Sequence, residues 1–134
     1  MRRSHQRRQA VFALYGAEVR GLPVSDALER DAAPFTRALV YAVDDHREEL
    51  DAVIARHAKG WTVDRIAPLE RAILRTALLE VLHPDLVAGD KPIPPEGAID
   101  EAVEITKGYC GAEAPGFVNG VLAAALRERE GSPA

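Results

Sequence analysis

At 134 residues, 47% of them hydrophobic, with a net charge of −4, the chain has the size of one domain or of two small helical subdomains sharing a core. No apolar stretch approaches the roughly 20 residues of a membrane span, and the opening "MRRSHQRRQAVFALYG" has too short an apolar part for a secretory leader, so the expected compartment is the cytoplasm, with no membrane partner. The single cysteine, Cys110, excludes an internal disulfide and a cysteine-rich zinc site.

The charge is segregated. Arg2, Arg3, Arg7 and Arg8 fall within the first ten residues with no acid among them, so that segment carries +4 and the remainder −8. A front of this kind suits a polyanion, or an acidic face of the chain itself. It runs directly into the first periodic segment, from about Ser4 to Arg20, where Ala10, Val11, Leu14 and Ala17 mark one helical face. "GLPVSD" then reads as a loop, with Ser25 or Asp26 suited to cap a short helix before Pro34.

From Phe35 to about Ala58, the residues Leu39, Val43, His46, Leu50, Val53 and His57 form a seam at alternating steps of four and three, which predicts one long helix packed along another. Two histidines on one helix at that separation cannot share a metal, so both are expected to be hydrogen-bonded at the edge of the core. "DDHREELD", Asp44 to Asp51, spreads its charges around the helix and reads as a solvated face rather than a metal cluster. The pattern breaks at Gly60 and restarts, with Thr62 as an N-cap and Trp61 as an anchor against the bundle. This is the expected subdomain boundary, dividing 1–60, with the basic arm, from 61–134.

The segment from Pro68 to His83 is apolar almost all round, leaving a narrow strip for Arg71 and Arg75, and so predicts a central helix. Glu70 projects near the middle of its apolar arc. Its place in the first turn suits the helix dipole; contact with a partner is the other reading. The proline-rich "HPDLVAGDKPIPPEG" is a connection, followed by a helix from about Glu96 to Tyr109 that buries Ala98, Ile99, Ala102, Val103 and Thr106.

The last segment contains "GFVNGVL", Gly116 to Leu122. Asn-Gly is a turn signal, yet Phe117 and Val118 recur as Val121 and Leu122 and then as Ala125 and Leu126, which is helical spacing. Asn119 and Gly120 must therefore lie inside a helix that loses stability by holding them, by roughly 1 kcal/mol for Gly relative to Ala. Either Gly120 permits a close helix contact while Asn119 bonds a neighbouring backbone, or Asn119 faces a ligand. With no credible strands, the class is all-α: two small helical bundles packed together, about seven helices.

Catalytic constellations are missing. There is no Walker loop, dinucleotide glycine motif or paired-histidine metal helix, and "GYCGAEA" lacks the signatures of cysteine enzymes. Asp100 and Glu104 share a helix face, but acid and base roles need an enclosed pocket. The expectation is a protein that is not an enzyme, with no cofactor and no metal.

Three segments, "RRQAVFALYG", "PLERAILRTALLEVL" and "AIDEAVEITKGYCGAEAPGFVNGVL", together resemble the NusB family of bacterial transcription antitermination factors over most of the chain. The same module resembles the N-terminal domain of certain ribosomal RNA cytosine methyltransferases, but the chain leaves no room for a cofactor-binding sheet. The resemblance implies a non-catalytic adaptor that binds the boxA element of nascent RNA together with NusE, a protein also found in the small ribosomal subunit. It implies help for the RNA polymerase antitermination complex in passing terminators, particularly in ribosomal RNA operons. By similarity, RNA contact falls to Arg3, Arg7, Tyr15, Phe117 and Asn119, with Arg2 and Arg8 as auxiliary phosphate contacts, and contact with NusE to Glu70. Two departures stand out. Ala114, Pro115 and Gly116 replace an acidic residue, serine and lysine that often precede "FVNG", in a loop that looks one residue shorter. Ser4 and His5 stand where relatives can carry arginine, which implies weaker RNA affinity alone and greater reliance on the partner. A helical adaptor that binds protein only, or a stand-alone relative of the N-terminal RNA-binding domain of those methyltransferases, is the alternative.

Overall fold

The computed structural model describes residues 2–87 and 92–131; positions 88–91 of the proline-rich connection lie outside the described residues. Seven α-helices make up the described residues, in the order α1 (Arg3–Arg20), α2 (Val24–Ala27), α3 (Pro34–Asp45), α4 (Arg47–His57), α5 (Pro68–Leu82), α6 (Pro95–Tyr109) and α7 (Ala114–Gly131), with short 3-10 turns at Val63–Arg65 and Pro84–Leu86. Three of the helices begin on a proline, at positions 34, 68 and 95, where the missing N–H would have had no intrahelical partner. α1 ends at Gly21, whose φ of 66° lets the Leu22 N–H turn back to the Ala17 carbonyl at 2.9 Å. No described helix is long and apolar enough to cross a membrane.

The central helix of the fold is α5. It packs against α1, α3, α4, α6 and α7, and every residue from Arg71 to Val81 is buried. The apolar core runs through the whole described chain, joining Val11, Leu39, Leu50 and Ile54 to Leu74, Leu78, Ile105 and Leu122. Burial of this kind requires that the buried charged residues of α5, Arg71, Arg75 and Glu80, be paired, and they are. Arg75 makes a two-bond pair with Asp51 at 2.7 and 3.0 Å and reaches Glu18 at 3.0 Å. Arg71 meets Glu18 at 2.8 Å and donates to the Val63 and Asp64 carbonyls. The strip expected to be left for Arg71 and Arg75 is thus covered by α1 and α4, and it ties these helices to the core helix by charge-assisted bonds.

Four other expectations are corrected. The long helix of residues 35–58 is broken at His46, whose backbone turns to φ −108°, ψ 16° and caps both α3 and α4. Its ring Nδ1 lies 2.8 Å from the Ala42 carbonyl oxygen, so a local side-chain bond accompanies the break. The four-three seam continues across the joint, which is why periodicity does not reveal it. Trp61 does not anchor the bundle: the chain turns at Gly60, with φ 82°, and leaves the indole 53% exposed. Finally, Ala114, Pro115 and Gly116 belong to the first turn of α7 rather than to a loop, and α6 buries Ile105 while Val103 is only partly buried.

Candidate nucleic-acid and partner interface

The basic front is helical from Arg3 onward, which fixes its side chains at helical spacing. Arg2 and Arg3 are exposed. Arg3 lays its guanidinium over the Phe35 ring, 4.2 Å from the centroid, and Arg7 approaches the same ring at 5.2 Å. Arg7 differs in kind from its neighbours. It is 8% exposed, and its Nε and Nη2 donate to the two carboxylate oxygens of Glu80 at 2.7 and 3.0 Å. The front therefore does dock on an acid of its own chain, through this one residue. Arg8 is half-buried and donates from Nη2 to Nδ1 of His5 at 3.2 Å.

One further turn along α1, Phe12 meets Tyr109 edge to face, with ring centroids 4.8 Å apart. Together with His5, Arg8 and Thr36 they line a groove of about 500 Å³. Tyr15 follows at the next turn, half-buried against the core. Sequence reasoning overlooked Phe12, Tyr109 and His5. The signal for Phe12 was its spacing from Arg8 and Tyr15, four and three residues, which puts all three on one face of α1.

Tyr109 leads through Cys110 into the turn Gly111–Glu113, which forms one wall of a second groove of about 540 Å³. Trp61, Glu70 and Phe117 line the same groove. Glu70 is half-buried, and no cation lies in ion-pair range of it among the described residues. Burial pushes its carboxyl above the usual carboxylate range. The Cys110 thiol is likewise pushed up, by burial and then by the nearby Glu70 charge, which keeps it protonated and unreactive.

The helix α7 separates its two faces cleanly. Val118, Val121 and Leu122 are buried, Phe117 lies half-buried at the groove, and Asn119 and Gly120 are exposed. Neither half of the packing reading of Asn-Gly holds. A Cβ built on Gly120 meets nothing within 4 Å, and the Asn119 side chain makes no hydrogen bond within the described residues. Gly120→Ala is therefore expected to stabilise the free protein by up to about 1 kcal/mol, read as a higher urea midpoint at unchanged slope; a lower midpoint would mean that the glycine serves the fold.

The structure thus groups the expected site residues into two linked stretches, Arg2, Arg3, Arg8 and Tyr15 along α1, and Glu70, Phe117 and Asn119 around the second groove, with Tyr109 to Glu113 joining them. Arg7 stands behind the first stretch. The arrangement presents cations, aromatic rings, a free amide and the Glu70 carboxylate, which has no cation in ion-pair range among the described residues.

The family model described as "NusB family" matches residues 4–127. A transcription antitermination protein NusB from Rubrobacter xylanophilus is 41% identical over 128 residues, spanning 91% of this chain and 88% of that protein. Another from Symbiobacterium thermophilum is 41% identical over 107 residues, 80% of this chain and 66% of its own length. Among solved structures, T. maritima NusB superposes with a TM-score of 0.81 at 28% identity, over 96% of this chain and 92% of that one. A crystal structure of the antitermination factors NusB and NusE in complex with double-stranded RNA matches with a TM-score of 0.76 at 27% identity, over 95% and 98% of the two chains.

Proposed function

The chain belongs to the NusB family, and from that premise we propose that it is a cytoplasmic transcription antitermination factor that binds boxA-containing nascent RNA jointly with NusE. It acts there as a non-catalytic adaptor of the RNA polymerase antitermination complex, supporting read-through of ribosomal RNA operons in particular. The observation that carries this reading is Glu70: a half-buried carboxylate with no cation in ion-pair range among the described residues, in a groove that it shares with Arg65 and Phe117 and that borders the open Asn119–Gly120 face. Such a group gains most from a basic side chain brought by another protein. A NusB of similar structure solved in complex with NusE and double-stranded RNA supports RNA and NusE as the two partners.

In this reading Arg2, Arg3 and Arg8 meet phosphates, while Tyr15 and Phe117 offer ring faces to bases and Asn119 hydrogen-bonds a base edge or phosphate. Arg7 adds positive potential, and with two of its nitrogens held by Glu80 it fixes the place of Arg3 over Phe35 rather than adding an independent phosphate bond. Gly120 keeps the surface beside Asn119 free of a side chain. Its substitution by Ala should gain stability and lose RNA affinity together.

The arm is tested by salt. Replacing both Arg2 and Arg3 by Ala should weaken RNA binding and flatten the dependence of log affinity on log salt by about 0.7 for each lost phosphate contact on a single strand. Circular dichroism should not change, because both side chains are exposed. An unchanged affinity and slope would remove the arm from the RNA site, and no RNA binding by the wild type even with NusE present would leave the protein-only adaptor.

A further inference from the structure

We propose that His46, Glu49 and His83 form a binding site for a divalent transition metal of the Zn²⁺ class, which clamps the α3–α4 joint to the end of α5. One ligand atom from each of the three residues lies within 4.8 Å of the others. The residues come from separate stretches brought together by packing: His46 is the joint itself, Glu49 lies in the first turn of α4, and His83 caps the C-terminus of α5. The proposal is independent of the RNA and NusE reading. His83 lies thirteen residues beyond Glu70 along the same element, about 20 Å at 1.5 Å per residue.

The geometry already carries the features a metal requires. The His46 Nδ1 faces the Ala42 carbonyl oxygen at 2.8 Å; a carbonyl only accepts, so Nδ1 holds the proton and Nε2 keeps its lone pair. Metal-binding histidines are typically oriented in this way, with one ring nitrogen donating to a carbonyl and the other free for the ion. The His46 and His83 rings stand 4.9 Å apart, centroid to centroid, and the His83 Nε2 lies 2.7 Å from Oε1 of Glu49. Around a tetrahedral Zn²⁺ with bonds of about 2.0–2.1 Å, ligand atoms sit about 3.3 Å from one another. The present spacings straddle that value, so small side-chain rotations admit the ion.

Electrostatics favour a cation as well. The C-terminal ends of α3 and α5 both meet at this point, at His46 and His83, and bring the negative ends of two helix dipoles to it. The opposing positive end of α4 is offset by Glu48 and Glu49 in its first turn. Two imidazoles and one carboxylate suit Zn²⁺ or its first-row neighbours rather than Mg²⁺ or Ca²⁺, which prefer all-oxygen shells. Three protein ligands leave one coordination position to water. On binding, the proton that His83 Nε2 donates to Glu49 is released.

The test is calorimetric titration of the full chain with Zn²⁺, with Mg²⁺ as control, supported by the visible absorption of bound Co²⁺. Wild-type protein should take up one equivalent of Zn²⁺, give a tetrahedral Co²⁺ spectrum and melt at a higher temperature with Zn²⁺ than without. His83→Gln and Glu49→Gln should each weaken the uptake by about tenfold or more with unchanged circular dichroism. His57→Gln, whose imidazole pairs with Glu128 elsewhere, should leave it intact. Zn²⁺ uptake that is the same in wild type and in a His46→Gln, His83→Gln double variant, or no uptake by wild type, would overturn the proposal.

Discussion

Glu80→Ala is expected to cost the protein about 3–5 kcal/mol of folding stability. Glu80 is 3% exposed, in the last turn of α5, and its carboxylate accepts both bonds from Arg7. Taking it away leaves a guanidinium buried with no counter-charge, and the cost is that of the uncompensated charge rather than of the pair. At this chain length the loss amounts to roughly 10–18 °C in melting temperature. A matched apolar replacement, Arg7→Met with Glu80→Leu, should recover most of it, because the pair itself repays little more than its own desolvation. Loss of less than 1 kcal/mol in the single variant would mean that Arg7 escapes to solvent. The same pairing changes what Arg7→Ala reports. An exposed arm residue would alter binding alone, but this substitution strands the Glu80 carboxylate, so both stability and RNA affinity should fall.

Glu70→Lys should show the opposite balance, with a small effect on folding and a large one on partner affinity. In the first turn of α5 the reversal of charge costs about 0.3–1 kcal/mol through the helix dipole. Against a basic partner group it replaces attraction by repulsion in a partly desolvated groove, and about 2–5 kcal/mol of NusE affinity should be lost. If stability falls while NusE binding holds, the residue serves the helix alone. The pH dependence gives a second reading. Burial raises the folded-state pKa of Glu70 above its unfolded value, so its contribution to stability is present in full below the ordinary carboxylate range and is lost as pH rises through the raised value. A cation from the partner lowers that pKa again, so complex formation should strengthen as pH rises through this window. Glu70→Gln should flatten the rise.

How far the sequence disclosed this arrangement depends on the distance over which the deciding interaction acts. Spacing within "GFVNGVL" sufficed to place Val118, Val121 and Leu122 inside, because a helix face is set by neighbours three and four residues away, but it left Asn119 open between a packing role and a ligand. The central place of α5 was legible for the same reason. The fate of its charges was not. Arg71 and Arg75 read as a surface strip, yet their partner Glu18 lies more than fifty residues earlier, and Arg7 finds Glu80 at a separation of 73. Nothing local distinguishes a paired arginine from a solvated one. His46 reads as a hydrogen-bonded residue at the edge of the core, as its bond to the Ala42 carbonyl bears out, and Glu49 as part of a solvated run. Their cluster was not legible, since the residue that completes it, His83, belongs to another helix end. Trp61 illustrates the reverse error: its size suggested an anchor, while the turn at Gly60 directs it outward to the groove. The aromatic pair Phe12 and Tyr109 likewise exists only once α1 and α6 have met.

Joint recognition of RNA and NusE is the central claim, and it is tested most directly by titrating boxA-like and scrambled RNA, single- and double-stranded, into the protein with and without NusE. The account predicts weak binding by the protein alone, a marked gain in affinity when NusE is present, and preference for the boxA-like single strand, with the gain abolished by Glu70→Lys and the preference reduced by Asn119→Ala. Equal affinity for boxA-like and scrambled RNA, unchanged by NusE, would contradict it.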